Sequence, residues 1–350
     1  MKIKETEAAL LVETGMPLQL ARIQLPNELQ KNQVLIELIT SGVCGSQLNE
    51  IDAVKGPDKF LPHLLGHEGF GTVMQVGPGV TKVTTGDCVV MHWRPSSGVQ
   101  STVPNYGWNG MKVNAGWVTT FNRHAVVSEN RISKISNNSD PSFSPLLGCC
   151  LLTALGVVKN EAKVTAKDQV LITGLGGVGN AILQFCRSFG VENITVVELD
   201  EKKRALSEHG GATNFVLFDT KQRTMFELRK IFEKMKRPSV AFETTGNVSC
   251  IEIAYESTAD FARIVLVGVP KLGEKVSIYT LPLHLGKTLA GTKGGSSNPE
   301  SDITEILKMI ETGLIDREKF PTVDYDFAQV NKALDDLRKG MPARPILKFA

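Results

Sequence analysis

The chain has 350 residues, of which 42% are hydrophobic and 22% charged, and this balance at this length is typical of a soluble protein with two domains. Its formal net charge is only +2, so we expect neither nucleic-acid nor membrane binding. No segment reaches the roughly 20 apolar residues of a membrane span, and the first residues lack the apolar core of a signal peptide, so a cytoplasmic location is expected.

The first 150 residues favour short strands separated by turns. Glycine and proline interrupt the apolar segments, as at Gly77-Pro78-Gly79 and Gly86-Asp87. The predicted strands are residues 34–38, 69–76 and 87–90. This pattern predicts a β-rich, barrel-like region. Residues 105–117 are rich in aromatic and amide side chains, and they are interpreted either as a specificity lobe (Tyr106–Trp117) or as a subunit contact.

From about residue 153 the pattern changes to strands alternating with helices. The predicted elements are strand 169–174, helix 180–189, strand 194–198, strand 240–243, helix 248–258 and strand 263–267, followed by helices 302–312 and 327–339 and a last strand 346–349. Alternating strands and helices predict a parallel sheet in a doubly wound α/β fold.

The sequence Gly174-Leu175-Gly176-Gly177-Val178-Gly179 fits the dinucleotide fingerprint, because it follows a predicted strand and opens a predicted helix. In this motif Gly174 permits the tight turn, Gly176 lets the backbone approach a pyrophosphate, and Gly179 allows the helix to pack closely on the strand. Gly177 and Val178 complete the turn at the helix N-terminus, which faces the negative charge. A glycine-rich turn without a ligand is the alternative.

Glu198 stands at the end of the next predicted strand. A carboxylate at this place accepts hydrogen bonds from the adenosine ribose hydroxyls and repels a 2′-phosphate. The sequence therefore favours NAD over NADP.

Cys44, His67 and Cys149 are candidate metal ligands, each beside a glycine. A catalytic zinc takes three protein ligands and keeps one open position, and two cysteines with one histidine are a known set. The three residues come from distant segments, so their spacing alone does not reveal a site. Cys150 competes with Cys149 for the third position.

These motifs, in this order, resemble the zinc-containing alcohol dehydrogenases of the medium-chain dehydrogenase/reductase superfamily. The resemblance runs from about residue 30 to residue 349 and also includes Gly66-His67-Glu68, Gly148-Cys149, Val267-Gly268-Val269-Pro270 and Arg344-Pro345-Ile346-Leu347. It implies a GroES-like β-rich catalytic domain at 1–152, a Rossmann domain with a doubly wound parallel sheet at 153–293, and a return of residues 294–350 to the catalytic domain.

The resemblance also implies the roles of single residues. Cys44, His67 and Cys149 match the zinc ligands, and the flanking residues Gly148 and Thr153 align better with Cys149 than with Cys150. The other matched residues are Glu68 as an acidic neighbour that can approach the metal, Ser46 as the proton relay, Trp93 as a wall of the substrate pocket, Val269 beside the nicotinamide and Arg344 at the pyrophosphate. We hypothesise that His92 or Arg94 binds an anionic or polyhydroxylated substrate; the alternative is that both are solvated or pack on loop backbone.

Three departures from the family pattern change what is expected. Residues 94–112 contain no cysteine where many relatives hold a structural zinc, so one zinc per chain is expected. Gln47 replaces an acidic residue that orients the histidine ligand. Asn49 replaces a relay histidine, so the proton must leave by water, a ribose hydroxyl or another residue.

The expected function is hydride transfer between an alcohol or carbonyl substrate and NAD, with zinc as Lewis acid. A polyol or sugar-derivative dehydrogenase of the same superfamily is the alternative, although those enzymes often have an acidic residue at Cys149. Zinc-free reductases lack the three ligands, and a catalytically silent NAD-binding protein is the non-enzymatic alternative. A homodimer or homotetramer is expected, with a strand near 276–279 as a candidate to join subunits.

Overall fold

The computed structural model describes residues 3–218, 227, 230–232 and 235–349. The chain forms two compact units. The first comprises Met1–Cys150, Asn298–Thr304 and Pro321–Ala350, and the second comprises Leu151–Ser297 and Glu305–Phe320. Among the described residues, no helix combines the length and the hydropathy that a bilayer span requires.

Strands are numbered along the chain. They are β1 Glu5–Leu11, β2 Gln19–Gln24, β3 Gln33–Gly42, β4 His63–Leu64, β5 Glu68–Val76, β6 Cys88–His92, β7 Tyr106–Trp108, β8 Met111–Val113, β9 His124–Ser128, β10 Ile132–Lys134, β11 Gln169–Thr173, β12 Asn193–Glu198, β13 Asn214–Leu217, β14 Val240–Glu243, β15 Arg263–Leu266, β16 Thr288–Gly291, β17 Thr322–Asp326 and β18 Arg344–Lys348. The described α-helices are α1 Gly45–Ile51, α2 Cys150–Gly156, α3 Gly177–Ser188, α4 Arg204–His209, α5 Val248–Ser257, α6 Leu281–His284, α7 Pro299–Glu311 and α8 Val330–Arg338.

The first unit is built from two sheets. One has the order β4-β1-β2-β7-β8, and the other has the order β10-β6-β5-β3-β18-β17 with β9 also paired to β3. Most neighbours are antiparallel, and β17 with β18 is parallel. Ile36, Val73 and Met91 are fully buried in the core of the second sheet. The expected β-rich, GroES-like domain is confirmed.

The second unit contains a six-stranded parallel sheet in the order β13-β12-β11-β14-β15-β16. Its interior strands carry continuous apolar segments, and Leu171, Val197 and Ala241 lie in the core. The chain leaves β11 on one side for β12 and returns on the other side for β14. The carboxyl end of β11 is therefore a topological switch point, where doubly wound folds bind ligands. The predicted Rossmann-type sheet is confirmed.

The strand predictions differ from the observed elements mainly at their ends. Predicted strand 34–38 lies inside β3, which continues to Gly42 and pairs there with β18. The predicted helix 180–189 begins earlier, at Gly177, because the last residues of the glycine-rich turn already have helical backbone. Residues 276–279 lie outside every strand of the described single chain.

Candidate metal centre and nucleotide-binding turn

Three donor atoms meet in the first unit. Cys44 is the N-cap of α1, just after β3, His67 directly precedes β5, and Cys149 follows the 3₁₀ turn Ser144–Gly148. The two sulfur atoms and a ring nitrogen of His67 all lie within 4.8 Å of one another. Ligands held at about 2.0–2.3 Å around one tetrahedral ion are roughly 3.3–3.8 Å apart. Small side-chain adjustments therefore let this set hold a zinc ion.

Glycines bring two of these ligands into place. Gly66 has a φ of +84°, and a Cβ on it would collide with the side chain of Thr120. A Cβ on Gly148 would collide with the carbonyl oxygen of Met91 and lie 3.0 Å from Cα of Glu68. The turns that present His67 and Cys149 consequently lie closer to the sheet than any residue with a side chain allows.

The pKa values of the two cysteine thiols are shifted in opposite directions. The pKa of Cys44 is lowered well below its usual value, chiefly because the Cys149 thiol donates a hydrogen bond to it and also because Arg344 lies nearby. The pKa of Cys149 is raised for the same reason and by burial. Burial lowers the pKa of His67, but its interactions with Cys44 outweigh burial and raise it. This anionic sulfur pair suits a borderline-soft cation.

Glu68 offers a further oxygen beside the three donors. Its side chain is fully buried; Oε1 accepts a hydrogen bond from Arg344, and Oε2 has no partner among the described residues. Burial raises the pKa of Glu68, although Arg344 acts to lower it. A buried acceptor without a partner is costly unless a cation or donor reaches it, so it fits a metal in this place. Arg344, matched by resemblance to a pyrophosphate ligand, is thus ion-paired here with Glu68.

Cys150 lies outside the group of three donors in the described chain. It is buried, and burial raises the pKa of its thiol to about 12. The structure therefore places the sulfur of Cys149, rather than that of Cys150, with Cys44 and His67.

Helix α1 carries the polar residues next to the ligands. Gln47 is almost fully buried; its Oε1 accepts the backbone N–H of Cys44 at 3.0 Å, and its Nε2 lies 2.8 Å from Nδ1 of His67. Oγ of Ser46 is buried and has no hydrogen-bond partner among the described residues. This hydroxyl is available to a ligand.

Glu50 was not singled out from the sequence. It stands four residues after Ser46, so both occupy one face of α1. Burial raises the pKa of Glu50, while His67, His63 and Lys55 each act to lower it, which puts the carboxyl within the electrostatic reach of the ligand histidine. Its i, i+4 spacing from Ser46, the proposed relay serine, is the sequence feature that could have identified Glu50.

The three residues proposed for the substrate pocket differ in exposure. His92 is fully buried, with Nδ1 2.7 Å from the carbonyl oxygen of Arg94 and Nε2 3.1 Å from Oγ of Ser133. Both ring nitrogens are occupied, so His92 packs on loop backbone, as in the alternative interpretation, and cannot contact a substrate here. Trp93 is half-buried, and the Arg94 guanidinium lies 5.9 Å from its ring centre.

The Tyr106–Trp117 stretch is tied to the first unit at two points. Tyr106 is buried in β7, and its hydroxyl accepts the backbone N–H of Val126 at 2.9 Å. Trp117 is half exposed, and the Arg131 guanidinium lies 5.7 Å from its ring centre. These contacts give the stretch a structural role without choosing between the two interpretations.

In the second unit, the glycines of the fingerprint meet different surroundings. Gly174 has a φ of +86°, and a Cβ on it would lie 2.7 Å from Oγ1 of Thr244. A Cβ on Gly179 would collide with the carbonyl oxygen of Gly174, whereas a Cβ on Gly176 would have no atom within 4 Å. Gly174 and Gly179 are thus required by packing, and the open space at Gly176 is free for a ligand.

The carboxylate of Glu198 holds this turn. Oε2 accepts the backbone N–H of Leu175 at 2.6 Å and a hydrogen bond from Nζ of Lys203 at 3.1 Å, and Oε1 accepts the N–H of Leu199 at 2.9 Å. Glu198 is only 5% exposed, so a ribose would share a carboxylate that the chain already uses.

Val269 follows β15 in the same unit and is half exposed. A Cβ on Gly246 would lie 2.5 Å from the carbonyl oxygen of Val269, and Oγ1 of Thr244 donates to the carbonyl oxygen of Gly174 at 3.0 Å. The turns after β11, β14 and β15 therefore pack side by side at the carboxyl edge of the sheet, where a dinucleotide binds.

Comparison with known proteins agrees with this geometry. Residues 30–137 match the family model of the alcohol dehydrogenase GroES-like domain, and residues 177–312 match that of the zinc-binding dehydrogenases. The chain is 26% identical to S-(hydroxymethyl)glutathione dehydrogenase of Paracoccus denitrificans, over 98% of this chain and 100% of the relative. For the enzyme of the same name from Synechocystis sp. the identity is 27%, over 99% and 100%.

Among solved structures, benzyl alcohol dehydrogenase from Acinetobacter calcoaceticus is similar, with a TM-score of 0.87 and 26% identity over 99% of this chain and all of that chain. Acetophenone reductase from Geotrichum candidum, solved in complex with NAD, shares the fold with a TM-score of 0.80 at 18% identity, over 99% of this chain and 98% of that chain.

Proposed function

Because the chain belongs to the zinc-containing alcohol dehydrogenases of the medium-chain dehydrogenase/reductase superfamily, we propose that it interconverts an alcohol and the corresponding carbonyl compound with NAD as the hydride carrier. The observation that carries this proposal is the meeting of Cys44, His67 and Cys149 within 4.8 Å in the GroES-like unit. Three such ligands leave the fourth zinc position to a substrate oxygen.

The residues of the metal site carry charges that suit a zinc ion. Cys44, His67 and Cys149 would hold the zinc, which supplies a Lewis acid for the substrate oxygen. Glu68 and Arg344 form a buried ion pair next to them, and the guanidinium limits the negative charge that the two sulfurs and the carboxylate accumulate. Within the second unit, Gly174–Gly179, Glu198 and Val269 would bind NAD, which accepts the hydride.

Ser46 is proposed to carry the substrate proton. Its hydroxyl is buried and unpartnered among the described residues, so it can donate to one oxygen and accept from another without breaking an existing bond. From Ser46 the proton leaves by water or by Glu50, one helical turn further along the same face.

One zinc per chain is proposed. This rests on the sequence, since residues 94–112 supply no cysteine thiolate for a second, structural site. A homodimer or homotetramer is proposed as the assembly.

The test is NADH formation by the purified protein with NAD or NADP and a panel of simple alcohols, benzyl alcohol, polyols and S-(hydroxymethyl)glutathione, each with and without a strong zinc chelator. Cys149→Ala is compared with Cys150→Ala. We expect reduction of NAD that the chelator abolishes, bound zinc and turnover lost in the first variant, and both retained in the second.

The other outcomes separate the alternatives. Turnover that survives zinc removal would overturn the metal assignment. Turnover confined to polyols would favour the polyol or sugar-derivative alternative. Stoichiometric zinc and NADH binding without turnover on any of these substrates would favour a catalytically silent protein or a substrate outside the panel.

A further inference from the structure

Gln47 lies between the backbone N–H of Cys44 and Nδ1 of His67, and its amide has only one acceptor oxygen. Its side chain is 1% exposed, Oε1 accepts the backbone N–H of Cys44 at 3.0 Å, and Nε2 lies 2.8 Å from Nδ1 of His67. An amide nitrogen carries only donors, so Nδ1 must accept this hydrogen bond. A neutral His67 ring then carries its proton on Nε2.

Zinc binding requires the opposite arrangement. Since Nδ1 is turned to Gln47, His67 can bind a metal only through Nε2, and to do so a neutral ring must move its proton to Nδ1. The Nδ1–H group then faces the N–H₂ group of Gln47. The contact becomes favourable only if the amide turns over, so that Oε1 accepts from Nδ1.

Turning the amide over leaves another donor without an acceptor. The backbone N–H of Cys44, the N-cap of α1, would then face the amide nitrogen of Gln47, and no other acceptor contacts it among the described residues. A backbone N–H that loses its acceptor in the folded state is destabilising. A carboxylate in this position has two acceptor oxygens and could serve both donors together.

On the basis of the proposed zinc function, we propose that Gln47 is a positioning residue whose side-chain amide rotates by about 180° when His67 binds zinc. The rotation breaks the hydrogen bond from the backbone N–H of Cys44 to Oε1 of Gln47. The loss of this hydrogen bond weakens zinc binding. Gln47→Glu should then tighten zinc binding by roughly ten- to a hundred-fold, the usual effect of partners that orient a ligand histidine. Gln19→Glu is the matched control, because it adds the same charge to an exposed position of the same unit.

The test measures zinc affinity by competition with a chromophoric chelator for the native protein and both variants. A carboxylate near the metal would also attract it electrostatically. Two further measurements on the native protein therefore test the rotation of the Gln47 amide separately from this charge effect. Nitrogen NMR of ¹⁵N-labelled histidine reports which ring nitrogen of His67 carries the proton, and hydrogen exchange reports the protection of the Cys44 amide.

We expect the proton of His67 to move from Nε2 to Nδ1 on zinc loading and the Cys44 amide to lose protection in the native protein but to keep it in Gln47→Glu. The inference is overturned if the native Nδ1 is protonated before zinc is added, or if the Cys44 amide stays protected. Equal zinc affinity of Gln47→Glu and Gln19→Glu would overturn it too. Failure of the native protein to bind zinc at all would contradict the proposed function instead.

Discussion

His92 shows how a single buried side chain makes stability depend on pH. Burial lowers its pKa from 6.5 to about 4, and both ring nitrogens have partners in the folded state. Below about pH 6.5 the unfolded chain binds a proton that the folded chain does not. The folded state therefore loses stability as the pH falls from 6.5 towards 4, with no further loss below that from this group.

We expect the free energy of unfolding of the zinc-depleted protein to drop by about 2 kcal/mol more in the native chain than in His92→Gln between pH 7 and pH 5. Urea unfolding at the two pH values measures this difference. Glutamine can still donate to the Arg94 carbonyl, so the variant keeps part of the loop contact. His209→Gln, at an exposed position, should behave like the native chain. Equal pH dependence in all three would show that folding does not lower the pKa of His92.

Whether a site residue could be identified from the sequence depended on whether it stands in a local motif. Cys44, His67 and Cys149 stand in local motifs, so they could be chosen without a structure. The pairing of Glu68 with Arg344 could not, because it joins residues from β5 and β18 and depends on the register of β18 against β3. For the same reason His92 was placed at the substrate pocket, since only the pleat of β6 decides that its ring points inward.

At the scale of elements, substitutions in the glycine-rich turn can separate its packing role from its cofactor-binding role. Gly179→Ala should destabilise the protein by about 1–3 kcal/mol, because its Cβ would collide with backbone at Gly174. Gly176→Ala should change stability by less than about 0.5 kcal/mol, since its Cβ has open space and its φ is −80°. It should nevertheless weaken NADH binding about ten-fold, because the backbone must approach the pyrophosphate there.

Thermal unfolding and NADH fluorescence titration of both variants measure these two effects, and each variant is the control for the other. Native NADH affinity in Gly176→Ala would show that the open space is not used by the cofactor. An equal loss of stability in both variants would show that the turn is constrained as a whole.

For the whole molecule, the sequence pattern predicted the two architectures. Strands that alternate with helices and strands separated by turns place their apolar residues at different spacings, so the two halves could be told apart. It did not predict that residues 305–320 group with the second unit while the segments on either side group with the first. That division depends on long-range pairing, such as Ile346 opposite Gly42, which leaves no local signal. The C-terminal strand was predicted, but its neighbours came only from the resemblance.

The proposed assembly has its candidate surface in the second unit. Exposed apolar side chains concentrate between residues 261 and 285, with Leu272 71%, Tyr279 70% and Leu285 57% exposed, and among the described strands β16 has a neighbour on one side only. Exposed apolar side chains and an unpaired strand edge are both unusual on a monomer and are relieved by association.

We expect the native protein to sediment as a dimer or tetramer at micromolar concentration and the double variant Tyr279→Lys, Leu285→Lys to sediment as a smaller species, because two lysines would be buried unpaired in the interface. Met16→Lys with Leu314→Lys is the matched control, since both residues are about half exposed and lie outside this segment. Analytical ultracentrifugation of the three proteins, with circular dichroism to verify folding, decides the matter. A native monomer would overturn the proposed assembly. An unchanged oligomer in Tyr279→Lys, Leu285→Lys would leave the assembly in place but move its interface to another face of the molecule.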